Sequence, residues 1–273
     1  MSPSRAGFGI ELAKWFQTMR VAWSVQLEYR LNFFLLVIGP SFVFFLVRYS
    51  LWTSIYSGRS EEVIGGYGRG DMLTYQVWVL IVALLAKTYN GMDLAQDIRL
   101  GRVSKYLIYP FGFLKFHFAS FLAFQWIQVI VATITIGLMM AVSLLPVPVI
   151  SSLLAGTALT LLVGLLWYAM QLFLAMFSFW LDEVWALRVI MYNVVALLSG
   201  ALVPLELFPA WAMNVLDWTP FPYMTSLPVK FFMGQQPVTL EPFLVLLGWI
   251  TVSFVLARLV WSRGLRMYTA AGM

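Results

Sequence analysis

Six apolar runs constrain this chain more than any other feature: residues 32–52, 72–86, 116–145, 150–181, 184–203 and 243–261 carry almost no charge. The hydrocarbon core of a bilayer takes about 20 apolar residues of helix. Within it every backbone N–H and C=O must find its partner inside the segment, which selects helices. The shortest run, 72–86, is lengthened by Asp71 and by residues 87–90, and the run at 150–181 is long enough to cross with tilt. The predicted fold class is an all-α membrane protein with six transmembrane helices, its membrane domain covering residues 31–273. Composition agrees: 62% hydrophobic and 11% charged residues, with mean hydropathy +0.86, lie outside the range of a soluble domain.

The breaks between runs give the expected punctuation. Gly39-Pro40 predicts a kink in the first run, tolerated where neighbouring helices satisfy the freed carbonyl. Arg48 is expected to snorkel from the far end of that run. Pro146 and Pro148 stop the third, and Asp182-Glu183 is a tight turn between the fourth and fifth. Residues 204–242, rich in proline and aromatics, are too apolar for an ordinary loop and too broken for a span. This stretch is expected to dip into the outer interface, with a short helix at 209–216 where Pro209 suits the first helical position.

Residues 1–30 read as a tail and an amphipathic helix, without the short basic start of a cleavable signal. On a helical projection of residues 9–30, Leu12, Trp15, Phe16, Met19, Trp23 and Leu27 fall on one side. Glu11, Lys14, Thr18, Ser24 and Glu28 fall on the other, with Arg20 alongside. Such a helix packs either on a soluble partner or in the headgroup plane of membrane lipids. The second is preferred because the first run follows almost at once.

Six crossings place both termini on one side. Of the seventeen basic residues, Arg48, Arg59, Arg69 and Lys230 then fall opposite the termini and the other thirteen beside them. The positive-inside rule makes the terminal side cytoplasmic. The formal charge of +5 is spread over the ends of apolar runs, so nucleic acid is not an expected partner. With no cysteine and one histidine, neither a metal site nor a histidine triad is expected, and His117 reads as an interfacial polar residue. No G-x-x-x-x-G-K-[ST] sequence occurs, so any ATP is handled elsewhere. Acidic groups avoid the centres of the runs, which argues against ion coupling. The uncharged polar groups Gln76, Tyr89, Asn90, Gln125, Gln128, Gln171, Tyr192, Asn193 and Ser199 read first as interhelical hydrogen-bonding groups and second as substrate contacts.

The run of charge inside the apolar middle, residues 90–112, is the place for a partner in water. Residues 92–99 form a short helix with Asp93, Gln96, Asp97 and Arg99; Gly101 closes it, and residues 102–109 lead to Pro110. The expected docking mode buries Met92, Ile98 and Leu100 in a partner's groove, with the charges fixing register. The alternative is a solvated loop.

Three features carry a family resemblance. They are the pattern formed by Asp97, Arg99, Gly101, Arg102, Val103, Tyr106, Leu107 and Pro110; the amphipathic helix with Trp15, Phe16, Arg20 and Trp23; and S-G-A-L-V-P-L-E-L-F-P-A-W at 199–211 followed by T-P-F-P at 219–222. In order on a six-run frame, they resemble the membrane permease subunits of ABC exporters with the six-helix, type V fold. The resemblance implies a half-transporter that pairs with an identical or related permease along the second and fifth helices, with outer half-helices between the fifth and sixth. It implies two cytoplasmic ABC ATPase subunits holding ATP and Mg, docked through the N-terminal helix and the loop after the second span. The coupling residues carried over are Asp93, Gln96, Asp97, Arg99, Gly101, Arg102, Tyr106 and Pro110, with Asp182 and Glu183 as an added contact. The path-lining candidates are Gln76, Tyr89, Asn90, Tyr192, Asn193 and Ser199. No catalytic residue or cofactor is expected in this chain, and the setting it suits is a bacterial inner membrane. The substrate implied is lipid-like, peptidic or hydrophobic. A non-transporting anchor or receptor subunit and an intramembrane lipid-modifying enzyme are the rival readings.

Overall fold

The computed structural model describes residues 3–28, 35, 38–58, 62–87, 91–108 and 111–267. Among these the chain is all-α, apart from an isolated bridge between Ile64 and Tyr67. Helix α1 spans Pro3–Glu28 and lies along a later helix, α6 (Phe113–Ala141). Helices α2 (Gly39–Ile55) and α3 (Arg69–Ala86) form a hairpin, closed where the Tyr56 hydroxyl donates to the Tyr67 carbonyl at 2.7 Å. Pro40 stands in the first turn of α2, where its missing N–H leaves no helical bond unmade. Most of the chain before it, on which the expected kink depends, lies outside the described residues. Asp71 sits in the first turn of α3, where its charge opposes the helix dipole.

The charged segment comprises α4 (Gly91–Arg99), a 3-10 turn at Arg102–Ser104 and α5 (Lys105–Ile108). After α6 come α7 (Ile150–Ala175), continued by a 3-10 turn at Met176–Phe179, and α8 (Trp185–Leu198). The predicted fifth span runs to 203, but α8 ends at Leu198. Gly200 turns the chain with φ 83°, and Ser226 N–H donates to the Ser199 carbonyl at 2.9 Å, which takes the backbone out of the helix.

The segment before the last helix folds as a 3-10 turn at Leu205–Leu207, α9 (Ala210–Leu216), α10 (Phe221–Met224) and α11 (Ser226–Phe232). Helix α9 begins at Ala210, with Pro209 as its extended N-cap residue and not at the first helical position the sequence predicts for it. Helix α12 (Glu241–Met267) closes the chain and packs on α7.

Four helices, Arg69–Ala86, Phe113–Ala141, Ile150–Phe179 and Glu241–Arg266, are long and apolar enough to cross a membrane; Trp185–Leu198 is a shorter apolar helix. Helix α3 is central. Two-thirds of its span (67%) is buried inside the chain, packed on α2, α6, α7 and α11. Trp78 stacks on Phe232 with ring centroids 4.3 Å apart, and the buried Tyr75 hydroxyl donates to the Gly200 carbonyl at 2.7 Å. That bond ties the middle of α3 to the turn after α8. The outer faces of α2, α6 and α12 present Phe44, Val47, Trp126, Ile134, Leu244 and Val255, the sort of surface that lipid covers.

Candidate functional site

The charged segment is wired to itself and to the membrane helices. Asp97, 15% exposed at its side chain, is the hub: its Oδ2 accepts from the Tyr106 hydroxyl at 3.2 Å, and Arg102 Nη1 lies 3.4 Å from its Oδ1. His117 Nε2, at the start of α6, is 3.4 Å from Asp97 Oδ2. Burial pushes the Asp97 carboxyl up, but His117, Tyr106 and Arg102 together outweigh it and hold the group below the usual carboxylate range. Gly101 supplies the reversal that brings these partners together, with φ 69° in the left-handed region that a Cβ disfavours. Arg99 points the other way. It forms an ion pair with Glu183 and donates to the Asp182 carbonyl at 3.2 Å, so the turn before α8 is clipped to α4. The structure therefore brings together Asp97, Arg102, Tyr106 and His117 on one side of α4, and Arg99, Asp182 and Glu183 on the other.

The apolar side of α4 is not free for a groove in a partner. Leu94, Ala95 and Ile98 are buried in this chain's own core with Tyr168, Leu172, Ala175, Met176 and Val184. Ile98 is thus spent internally, whereas Leu100, 47% exposed, and Ile108, 87% exposed, face outward. Two residues apart on a helix stand about 200° apart, so Ile98 and Leu100 cannot enter one groove. Gln96 is exposed, and Asp93 is exposed one turn before Asp97. The side chain of Met92, and Tyr89, Asn90 and Pro110 entirely, lie outside the described residues.

Helix α1 meets the protein through both polar and aromatic side chains. Glu11 pairs with Lys115 of α6, which lowers the Glu11 pKa through the hydrogen bond and charge of that lysine. Trp15 meets Phe111 and Phe118 edge-on at 5.1 and 6.0 Å. Leu12, Phe16 and Trp23 are exposed, as is Arg20. The predicted division of faces holds only in part: Trp15 and Met19 turn partly inward while Leu12, Phe16 and Trp23, from the same predicted side, stay exposed, as do Ser24 and Glu28 from the other.

Two cavities lie along the path from this segment into the bundle. The first, between α4 and the start of α8, is lined by Gln96, Arg99, Asp182, Glu183 and Arg188 among others. Arg188 is buried; its Nε donates to Gln171 Oε1 at 3.0 Å, and Gln171 Nε2 donates to the Tyr192 hydroxyl at 2.7 Å. Tyr192 stacks on Trp167 and borders the second cavity, together with Ser199, Thr225, Arg48 and Lys87. Ser199 and Thr225 are hydrogen-bonded at 3.0 Å. The hydrogen-bonded series Arg188–Gln171–Tyr192 thus runs from the wall of the first cavity to the wall of the second.

The remaining polar candidates behave as interhelical or intrahelical groups. Gln125 Nε2 donates to the Leu85 carbonyl at 2.6 Å, and Gln128 Nε2 to the Lys87 carbonyl at 2.5 Å. Asn193 donates back to the Val189 carbonyl at 2.8 Å, and Gln76 is fully buried on α3 beside Met72, away from the second cavity's wall. Of the path-lining candidates, Tyr192 and Ser199 meet at one cavity.

Sequence reasoning passed over His117 and misplaced Arg48. A lone histidine carries no spacing signal, because its partner Asp97 is twenty residues earlier and reaches it only through the Gly101 turn. Arg48 is not at a helix end: α2 continues to Ile55, and the side chain borders the interior cavity instead of snorkelling. Among the described residues no cluster of His, Asp or Glu is arranged to hold a metal.

No curated protein and no solved structure matches the chain. A family model described as an ABC-2 family transporter protein matches residues 41–272, which take in the coupling segment, both cavities and the helices from α3 to α12. With its multiple membrane-length helices, the chain belongs to the ABC-2 family of transporter proteins, as a transmembrane permease component of an ABC transporter.

Proposed function

We propose that this chain is half of an ABC exporter of the six-helix, type V kind. It pairs with a second copy or a related permease along α3 and α8 and is driven by two cytoplasmic ATPase subunits that bind ATP and Mg. Both termini are cytoplasmic in this reading, and the segment α9–α11 forms re-entrant half-helices at the outer face of a bacterial inner membrane. The observation that supports it most is the clamp on α4. A segment held to α6 by Asp97–His117, to the α8 turn by Arg99–Glu183 and to α7 by Leu94 and Ile98 moves as a body with those helices. A push from a docked ATPase then reaches Arg188, Gln171 and Tyr192 at the cavity wall as rigid-body motion.

The outward Leu100 and Ile108, flanked by Gln96 and Arg102, are the docking surface in this account. The experiment is purification of the tagged chain from its native membrane with its companions identified by mass spectrometry and hydrolysis assayed. A P-loop ATPase at equal stoichiometry supports the reading, and its loss in Leu100→Asp/Ile108→Asp, with the chain still folded, assigns the surface. A chain that purifies alone under mild conditions refutes it and favours an anchor or enzyme role.

A further inference from the structure

The second cavity carries a charge imbalance that the helix bundle does not explain. Arg48 is the tenth residue of the seventeen in α2, between apolar neighbours, and Lys87 caps the end of α3. Both border the same cavity, which is open at its mouth. No described carboxylate lies within ion-pair distance of either cation. The Arg48 Nε is buried with no hydrogen-bond acceptor. A partly buried guanidinium without a counter-charge is costly, and ionisable residues that face a cavity in a helix bundle of this kind mark ligand pathways. The rest of the wall offers both chemistries: the hydroxyl-bearing Tyr192, Ser199 and Thr225, and the apolar Val79, Val82, Trp167 and Met224.

We infer that this cavity binds the phosphate of an anionic amphiphile, a lipid or lipid-linked molecule whose headgroup oxygens meet Arg48 and Lys87. Its uncharged polar groups reach the Ser199–Thr225 hydroxyls, and its apolar part lies on Trp167 and the α3 valines. The planar guanidinium and the point-charge ammonium together suit a phosphate with several acceptor oxygens. That the bound molecule is cargo rests on the exporter reading; that the site takes an anionic headgroup does not, and it is tested without any ATPase.

The full-length chain, delipidated in detergent, is offered equal amounts of phosphatidylglycerol and phosphatidylcholine, and the retained lipid is counted by native mass spectrometry. Phosphatidylglycerol is retained in preference. Arg48→Gln/Lys87→Gln lowers its retention by at least about 10- to 150-fold, the effect of losing a single charge-assisted contact, since both cations are removed. Arg48→Lys keeps the charge, retains most of the preference and shows that the site tolerates substitution. Lys230→Gln, a cation paired with Glu206 at 2.6 Å on another cavity, leaves it unchanged. Inorganic phosphate that displaces the lipid supports the site through the phosphate alone; lipid that resists it supports the site through headgroup and tail together. Equal retention of both lipids by the native chain, or undiminished phosphatidylglycerol in a folded Arg48→Gln/Lys87→Gln variant, overturns the inference.

Discussion

Removing the Asp97 carboxylate tests the wiring of the coupling segment most sharply. In Asp97→Ala the Tyr106 hydroxyl loses an acceptor at 3.2 Å, and the buried His117 imidazole loses the carboxylate 3.4 Å away. Hydrogen bonds to a charged group contribute about 1.5–3 kcal/mol. Arg102, 44% exposed at its side chain, adds little because solvent screens it. A net local cost of about 2–3 kcal/mol follows, which is roughly a 30- to 150-fold rise in the opening equilibrium. The membrane core does not contain Asp97, so the change should be local. Hydrogen–deuterium exchange read by mass spectrometry should show faster exchange across residues 97–106 while α3 and α7 keep their protection.

The pH dependence has a definite sign. The folded Asp97 pKa is depressed, so its contribution is present above the unfolded value of about 3.9 and is lost only as pH falls through the lower folded value. Protection of the segment should therefore be flat from neutral pH down to about pH 5 and fall below about pH 4. Unchanged exchange in Asp97→Ala, or an equal rise over the whole chain, would refute the argument.

Other perturbations are smaller or differently placed. Gly101→Ala forces a side chain into the left-handed region and should cost about 1 kcal/mol locally, visible as faster exchange in the same peptides. Tyr75→Phe leaves the buried Gly200 carbonyl without its donor and should lower thermal stability by about 1–2 kcal/mol in detergent. Glu183→Gln breaks an exposed pair with Arg99, so stability should change by less than about 1 kcal/mol, while stimulation of a partner's hydrolysis falls; unaltered stimulation would remove that contact from the coupling role.

The membrane-length helices and the short helix after Pro209 were legible because hydrophobic run length and proline position act locally. The turn at Gly101 was legible too, since a glycine just past a short helix announces one. Which way α4 faces was not. Leu94 and Ile98 are as apolar as Leu100, and only the packing of α4 against Tyr168 and Val184 decides which of them meets this chain. Helix α1 poses the same problem in reverse: in a membrane setting an apolar face need not turn inward, so Phe16 and Trp23 give amphipathicity without orientation. That Arg48 borders the same cavity as Lys87 was not legible, because it depends on how α2 and α3 pack, which no local pattern encodes.

The absence of cysteine from this sequence makes the most direct test of the central claim a single cross-linking measurement. Leu100→Cys, Ile108→Cys and Trp218→Cys each place one thiol at an exposed site, the first two on the coupling segment and the third on the outer segment. In native membranes treated with a short thiol-to-amine cross-linker, the account predicts a covalent adduct with a P-loop ATPase from Leu100→Cys and Ile108→Cys and none from Trp218→Cys. An adduct at Trp218→Cys, or none at either coupling position while the ATPase still co-purifies, would contradict it.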